Sequence, residues 1–215
     1  MTAPPRIAVV DYGAGNLRSV AKAVLRSGLE PVVTGDAETV HGADAVLLPG
    51  VGAFADGIAA LRARGLDEAV LAAIRAGRPY LGLCLGLQLL FDESEEHGTS
   101  EGLGLLAGRV VRFADRDAAG ARRLVPHIGW NEVRFSGEHP ICARLRQDDC
   151  FYFVHSYYAV PAEAKDTVGV ADYGGPFTAA VARDNVFAVQ FHPEKSQNAG
   201  RRLIDAFAQW MASCG

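Results

Sequence analysis

The 215-residue sequence has few cysteines, and their pattern suits neither a metal site nor a disulfide framework. The four cysteines are far apart and form no Cys-x-x-Cys pair; they are Cys84, Cys142, Cys150 and Cys214. This spacing argues against a zinc ribbon and against a small disulfide scaffold. We therefore expect no metal, and reduced thiols of the kind typical of the cytoplasm.

Charge of one sign and long apolar runs are also lacking. The 21 Lys and Arg residues against 25 Asp and Glu give a net charge of −4, without a long run of either sign. We expect neither nucleic acid nor a membrane as a partner. The longest apolar stretch, residues 80–91, is too short to span a bilayer, and residues 1–6 are too short and proline-rich for a signal peptide. The sequence predicts a soluble, cytoplasmic protein.

The first half of the sequence alternates short apolar strands with amphipathic helices. Strands are predicted at residues 6–10, 31–33, 45–48 and 80–83, and helices at 17–26, 57–64 and 66–76. Strands without a polar face indicate a sheet that is covered on both sides. We predict a single domain over residues 1–215 with an α/β fold, in which helices cover both faces of an open, mainly parallel central sheet.

The second half is β-rich. Strands are predicted at residues 109–113, 131–135, 151–155, 167–171, 178–182 and 186–191. Some of them should pair antiparallel, with residues 174–176 as a hairpin turn. An amphipathic helix at residues 199–211 should pack on the sheet.

The most informative local pattern surrounds Cys84. A lone cysteine is more often a buried, inert thiol, but Gly82 and Gly86 flank this one between an apolar strand and the helical run 85–91. That pattern is typical of a strained strand-to-helix elbow that exposes a nucleophile. The helix N-terminus would favour the thiolate, and the N–H of Leu85 could hold an oxyanion. We predict that Cys84 is a nucleophile.

A base for this nucleophile is predicted at His192. Pro193 favours extended backbone angles at His192, and in an extended segment the side chains of His192 and Glu194 project to the same side. Glu194 could then fix the imidazole tautomer. The alternative is a surface turn after a strand, but the presence of Cys84 in the same α/β chain favours a Cys-His-Glu triad.

Other sites fit the sequence less well. An α/β-hydrolase would have its acid between nucleophile and histidine, and a zinc deaminase would need a Cys-x-x-Cys pair. Residues 11–16 lack the third glycine of a dinucleotide-binding loop, so we expect no such cofactor. Pro49-Gly50-Val51-Gly52 follows a strand, where its glycines could bring backbone N–H groups to a ligand; a plain turn is the alternative.

Taken together, these residues resemble a known family, the class I (triad) glutamine amidotransferases. The nucleophile motif YLGLCLGLQ at residues 80–88 and FHPE at 191–194 carry the resemblance. Over nearly all 215 residues the chain is similar to one branch, the glutaminase subunits of imidazole glycerol phosphate synthase. The further matching segments are DYGAGNL at 11–17, PGVGAF at 49–54, PHIGWN at 126–131, YFVHSY at 152–157 and HPEKSQ at 192–197.

The resemblance implies that Cys84 attacks the side-chain amide of glutamine, that His192 protonates the departing ammonia, and that Glu194 orients His192. No cofactor is implied. A further set of residues would hold the glutamine or the oxyanion: Gly50, Val51, Gly52, Leu85, Gln88, Glu96, His155, Ser156 and Tyr157.

The resemblance also implies a partner, because ammonia released into water would be protonated and lost as a nucleophile. That partner is a TIM-barrel cyclase subunit, which uses the ammonia to form imidazole glycerol phosphate and an aminoimidazole carboxamide ribonucleotide in histidine biosynthesis. Positions matching the docking face or ammonia entrance of the heterodimer are Asn16, Trp130, Asn131, Tyr152 and Lys195. The alternatives are a glutaminase subunit of another pathway, such as pyridoxal phosphate synthesis, and a non-catalytic binding module.

Overall fold

The computed structural model describes residues 4–117 and 119–214. In chain order the strands are β1 (Arg6–Val10), β2 (Glu30–Thr34), β3 (Ala45–Leu48), β4 (Tyr80–Leu83), β5 (Phe91–Ser94), β6 (Ser100–Glu101), β7 (Leu106–Arg112), β8 (His127–Glu132), β9 (Arg134–Phe135), β10 (Cys150–His155), β11 (Tyr157–Pro161), β12 (Thr167–Asp172), β13 (Pro176–Arg183) and β14 (Val186–Val189). The α-helices are α1 (Leu17–Arg26), α2 (Ala37–Gly42), α3 (Phe54–Arg62), α4 (Leu66–Arg75), α5 (Leu85–Gln88) and α6 (Gln197–Ser213).

The central sheet has eight strands in the order β2-β1-β3-β4-β14-β13-β12-β9. Its first five strands are parallel. Four of them come from the first half of the chain, where helical crossovers let successive strands run in the same direction, and β14 joins β4 in parallel from the second half. The last three strands join antiparallel, and β12 and β13 form a hairpin whose turn is residues 173–175, one residue before the predicted turn. The mainly parallel sheet and the antiparallel pairs of the second half are both confirmed.

Helices cover both faces of this sheet, as the strand composition predicts. On β1, Ile7 and Val9 point into a core that α1 and α6 close, whereas Ala8 and Val10 point into a second core under α3 and α4. The alternation follows from the two-residue period of a strand, and with both faces buried neither needs polar side chains. The sheet thus presents the carboxyl ends of its parallel strands at one edge, where α/β folds bind ligands.

Two smaller sheets flank this edge. One pairs β8 with β10, and the other runs β11-β7-β5-β6. The described residues, 4–117 and 119–214, include no helix that is long and apolar enough to cross a membrane.

Several predicted bounds shift by one to three residues, and two predicted elements differ more from the structure. The helical run 85–91 ends at Gln88, because the carbonyls of Leu89 and Leu90 accept hydrogen bonds from the backbone of residues 103–106 and β5 starts at Phe91. The single strand 131–135 is divided at Val133 between two sheets, with β8 on β10 and β9 on β12. Both differences arise from long-range pairing, which a local pattern does not contain. Strands β5, β6 and β11 and helix α2 were not predicted.

Candidate active site

Cys84 occupies the sharp turn between β4 and α5. Its φ of 53° and ψ of −104° lie in a region that residues other than glycine rarely adopt. The backbone N–H of Cys84 donates to the carbonyl of Val189 on β14 at 2.8 Å, which anchors the turn to the neighbouring strand. Backbone strain of this kind persists where the surrounding structure over-determines it, which is common at catalytic sites.

The two glycines around Cys84 are required by close backbone contacts. A Cβ on Gly82 would lie 2.7 Å from the carbonyl oxygen of Gly86 and 2.9 Å from the Cβ of Ala188. A Cβ on Gly86 would overlap the carbonyl oxygen of Leu48 on β3. The Gly-x-Cys-x-Gly spacing therefore lets the turn pack between two strands. Helix α5 has only one turn, so it supplies a short dipole at the sulfur rather than that of a long helix.

His192 and Glu194 follow β14, the strand that pairs in parallel with β4. Val189 is opposite Leu83, so the residues just after both strands lie side by side at the same sheet edge. His192 is extended, with φ −107° and ψ 93°, and its Nδ1 lies 2.9 Å from the Oε1 of Glu194. Both side chains are 3% exposed. The His-x-Glu geometry is the one that Pro193 predicts.

Electrostatics favours a protonated imidazole at this position. Burial by itself lowers the pKa of His192, but Cys84 and the Glu194 carboxylate outweigh burial and raise the pKa to about 10. Nε2 of His192 has no hydrogen-bond partner among the residues that the structure describes. The Cys84 sulfur accepts a hydrogen bond from the Gln190 amide at 3.6 Å. The site thus combines a sulfur nucleophile with a buried, carboxylate-bound imidazole.

The backbone of His192 is held by β10. Its N–H donates to the carbonyl of Tyr152 at 2.9 Å, and its carbonyl accepts from the hydroxyl of Ser196 at 2.6 Å. The same hydroxyl oxygen accepts the N–H of Tyr152 at 2.9 Å. Tyr152, one of the predicted docking residues, is therefore bonded directly to the backbone that carries the imidazole.

A cavity of about 430 Å³ opens beside the sulfur. Cys84 and eight of the nine residues predicted to bind glutamine or the oxyanion line it, namely Val51, Gly52, Leu85, Gln88, Glu96, His155, Ser156 and Tyr157. Gly50 is the one predicted residue that does not line the cavity; a Cβ at this position would overlap the Tyr12 hydroxyl and lie 2.7 Å from the Cβ of Leu85. Pro126 and Val154 also line the cavity, and their apolar side chains gave no sequence signal of a site.

Two polar side chains of the cavity wall are fixed by hydrogen bonds. The Nε2 of Gln88 donates to the carbonyl of Tyr157 and to the Oε1 of Gln190, each at 3.0 Å. One carboxylate oxygen of Glu96 accepts the N–H of Phe54 at the start of α3, at 2.7 Å. These bonds leave the amide oxygen of Gln88 and the second oxygen of Glu96 for a ligand amine.

Three of the five predicted docking residues form one group on the surface. The Trp130 and Tyr152 rings meet edge to face at 6.1 Å, and the Lys195 ammonium lies 5.6 Å from the Tyr152 ring centroid. Asn131 follows Trp130 on β8, and Asn16 caps α1, which contacts the turn Pro193–Lys195. The Trp130 side chain stays 49% exposed. Leu124 and Ile128 are exposed nearby in the chain, and sequence reasoning did not single them out.

Comparison with known proteins identifies this arrangement. A family model described as glutamine amidotransferase class-I matches residues 8–209. The imidazole glycerol phosphate synthase subunit HisH of Methylococcus capsulatus is 50% identical over 209 residues, which cover 95% of this chain and 96% of that protein. The protein of the same name from Synechococcus elongatus is 49% identical over 215 residues, with 99% and 97% covered.

Solved structures with lower identity share the fold. PurLQS from Thermotoga maritima has a TM-score of 0.74 at 20% identity, with 96% of this chain and 99% of that chain covered. The glutaminase domain of Trypanosoma brucei CTPS, solved with bound acivicin, has a TM-score of 0.68 at 21% identity, with 98% and 93% covered. From the family model and the close relatives, the chain belongs to the class I glutamine amidotransferases and, within them, to the HisH subunits of imidazole glycerol phosphate synthase.

Proposed function

We propose that the site hydrolyses the side-chain amide of glutamine through Cys84, His192 and Glu194. The Cys84 thiolate attacks the amide carbon, and a C–S bond forms as the C–N bond breaks. Protonated His192 gives its proton to the leaving nitrogen, so that ammonia departs and a thioester remains. His192, now neutral, takes a proton from water, whose oxygen attacks the thioester and releases glutamate and the thiolate.

The observation that carries this proposal is the buried His192–Glu194 pair at 2.9 Å, just after the strand that neighbours the Cys84 elbow. The carboxylate orients the imidazole and supports its positive charge, so the proton that the leaving group needs is available. Backbone N–H groups of Leu85 and of a suitably oriented Gly50–Val51 peptide would hold the oxyanion. Gln88, Glu96 and residues 155–157, with the backbone of Gly52, would hold the glutamine.

We further propose that the chain acts in the cytoplasm as a heterodimer with a TIM-barrel cyclase, which receives the ammonia for histidine biosynthesis. The curated relatives are named as subunits of a synthase, which supports a partner. The exposed Trp130, with Leu124 and Ile128, supplies the aromatic and apolar surface that such an interface uses. Asn16, Asn131, Tyr152 and Lys195 would complete the docking face and the ammonia entrance.

The test measures glutamate release from glutamine by the chain alone and with the cyclase and its ribonucleotide substrate. We expect the isolated chain to be nearly inactive and the complex to be active. Cys84→Ala should abolish glutamate release by the complex while leaving cyclase binding intact, whereas Cys214→Ala, at an exposed thiol, should change neither. Unchanged glutamate release in Cys84→Ala would refute the triad, and strong activity without the partner would refute activation by the complex.

A further inference from the structure

A buried chain of hydrogen bonds runs through two histidines that stand outside the triad. The Nδ2 of Asn131 donates to the carbonyl of Asp172 at 2.7 Å and lies 3.4 Å from Nε2 of His127. Nδ1 of His127 lies 3.1 Å from Nε2 of His155, and Nδ1 of His155 lies 2.8 Å from the carbonyl oxygen of Tyr157. His127 is 3% exposed and His155 is 6% exposed.

The two carbonyls at its ends fix the direction of this chain. A carbonyl oxygen only accepts, so His155 must carry its proton on Nδ1, and its Nε2 must then accept. His127 therefore also carries its proton on Nδ1, and its Nε2 accepts from the Asn131 amide. Four N–H groups meet four acceptors, with both imidazoles neutral and no group left over. No other assignment of two neutral rings satisfies every bond.

A second arm leads from the same carbonyl to the nucleophile. The oxygen of Tyr157 also accepts from Nε2 of Gln88 at 3.0 Å, and that amide donates its other hydrogen to Oε1 of Gln190 at 3.0 Å. Gln190 in turn donates to the Cys84 sulfur at 3.6 Å. The Tyr157 oxygen thus uses both of its acceptor positions, one for the histidines and one for the residues that contact the sulfur.

The surroundings hold the two rings in place and keep them neutral. The His127 ring is stacked between Phe153 and Tyr173, with ring centroids 4.9 Å and 4.0 Å away. Burial lowers the pKa of His127 to about 4, and burial, opposed by the bond to Tyr157, lowers that of His155 to about 3. A proton added to either ring would set two N–H groups against each other in an apolar site.

We propose that His127 and His155 are positioning residues for the glutaminase reaction: their fixed tautomers hold the Tyr157 carbonyl and, through it, the Gln88 and Gln190 amides against the Cys84 sulfur. This proposal rests on the proposed hydrolysis at Cys84. It gives His155 a role that differs from direct contact with glutamine, and it adds His127 to the residues that the reaction needs.

The first measurement uses the unaltered chain and needs no variant. Nitrogen-15 NMR of the imidazole rings distinguishes a nitrogen that carries hydrogen from one that does not. We expect His127 and His155 both to carry the proton on Nδ1 at neutral pH. A proton on Nε2 of either ring would overturn the proposal, because at least one hydrogen bond between Asn131 and the Tyr157 carbonyl would then be broken.

The second measurement compares variants in the complex with the cyclase. His127→Phe keeps a stacked ring but removes both bonds, and we expect kcat/KM for glutamine to fall about tenfold, as for loss of one or two hydrogen bonds. His127→Gln, with one donor and one acceptor, should recover most of it. The matched control is His139→Phe, because His139 packs against Phe187 and Trp210 and takes no part in the hydrogen bonds that join His127 to His155.

The outcomes separate the positioning role from a structural one and from failure of the proposed function. In His127→Phe the Nε2 of His155 should lose its hydrogen bond and change its nitrogen-15 chemical shift while Nδ1 keeps the proton, a signal that simple loss of stability does not produce. If His127→Phe keeps the kcat/KM of the His139→Phe control, the positioning role is overturned while hydrolysis at Cys84 stands. Activity retained in Cys84→Ala would instead overturn the proposed function itself.

Discussion

The Nδ1 atom of His192 lies 2.9 Å from Oε1 of Glu194, and neither side chain is more than 3% exposed. A buried carboxylate bound to an imidazole supports its positive charge, and here the pair stands beside the sulfur of Cys84. The imidazolium form, with a pKa near 10, is therefore the form present at neutral pH. A proton for the leaving ammonia is then available before glutamine binds.

Removing the charge of Glu194 tests this relationship. Glu194→Gln keeps the size of the side chain, but we expect kcat for glutamate release by the complex to fall at least about tenfold, because the imidazole is less well oriented and charged. The pKa of His192 should fall, so the loss of activity at alkaline pH should begin at a lower pH. The pH profile of kcat measures both effects. Glu30→Gln, on an exposed edge strand, is the control, and an unshifted profile in Glu194→Gln would contradict the pairing.

Glycine at position 86 is predicted to be essential to the elbow. Gly86→Ala would force a Cβ onto the carbonyl oxygen of Leu48, which belongs to a central strand and cannot easily move. We expect the free energy of unfolding to fall by about 1–3 kcal/mol, the usual range for overpacking, and glutaminase activity to be lost. Gly42→Ala is the matched control, because nothing lies within 4 Å of the added Cβ. Urea denaturation compares the two, and equal stabilities would show that the turn tolerates a side chain.

The histidines predict how the stability of the fold depends on pH. Burial lowers the pKa values of His127 and His139 to about 4 and that of His155 to about 3, so between pH 6.5 and 4 the unfolded chain binds protons that the folded chain does not. Stability should therefore fall as the pH drops through this range. His192 has the opposite sign: its contribution is complete below pH 6.5 and fades as the pH rises towards 10.

Urea denaturation at a series of pH values measures these contributions. The histidines should give a maximum of stability near pH 6.5. His127→Phe should reduce the fall in the free energy of unfolding below pH 6.5 and leave its fall at alkaline pH unchanged. Glu194→Gln should instead reduce the fall at alkaline pH. If the free energy of unfolding falls as steeply below pH 6.5 in His127→Phe as in the unaltered protein, the His127 ring is not held neutral in the folded state.

The sequence predicts the parts of the fold that local patterns encode. Strands β1, β3 and β4 and helix α1 have the predicted bounds, because apolar runs and helical spacing are properties of neighbouring residues. The sharp turn at Cys84 and the contact between His192 and Glu194 could also be predicted, since glycine spacing and Pro193 restrict the backbone directly. Strand β5 was missed because its one apolar residue, Phe91, continues the helical pattern and its other residues are polar, so only its pairing with β6 and β7 makes it a strand.

The remaining parts of the site depend on contacts between distant segments. Gln190 approaches Cys84 across 106 positions, and the pair His127–His155 spans 28 positions. No spacing rule relates such residues, and each alone looks like an ordinary buried polar side chain. The exposed Leu124 and Ile128 were likewise missed, because exposure depends on which side of each segment the fold covers.

Trp130 is predicted to dominate the binding of the cyclase. It is one of two tryptophans, and its side chain is 49% exposed, whereas Trp210 is only 6% exposed. A large aromatic ring left in water on a strand beside Ile128 would gain most by burial in a partner pocket, as at other interface hot spots. Trp130→Ala should therefore raise the dissociation constant for the cyclase about thirtyfold, the equivalent of about 2 kcal/mol of binding free energy.

Isothermal titration calorimetry with the cyclase measures this constant, and the choice of control decides what the result means. Val160→Ala also removes an exposed apolar side chain, but from β11, which belongs to a different sheet from β8 and β10. If general loss of apolar surface weakened binding, both variants would show it; if the face around Trp130 and Tyr152 receives the cyclase, only Trp130→Ala will. Equal affinities for the two variants would place the docking face elsewhere.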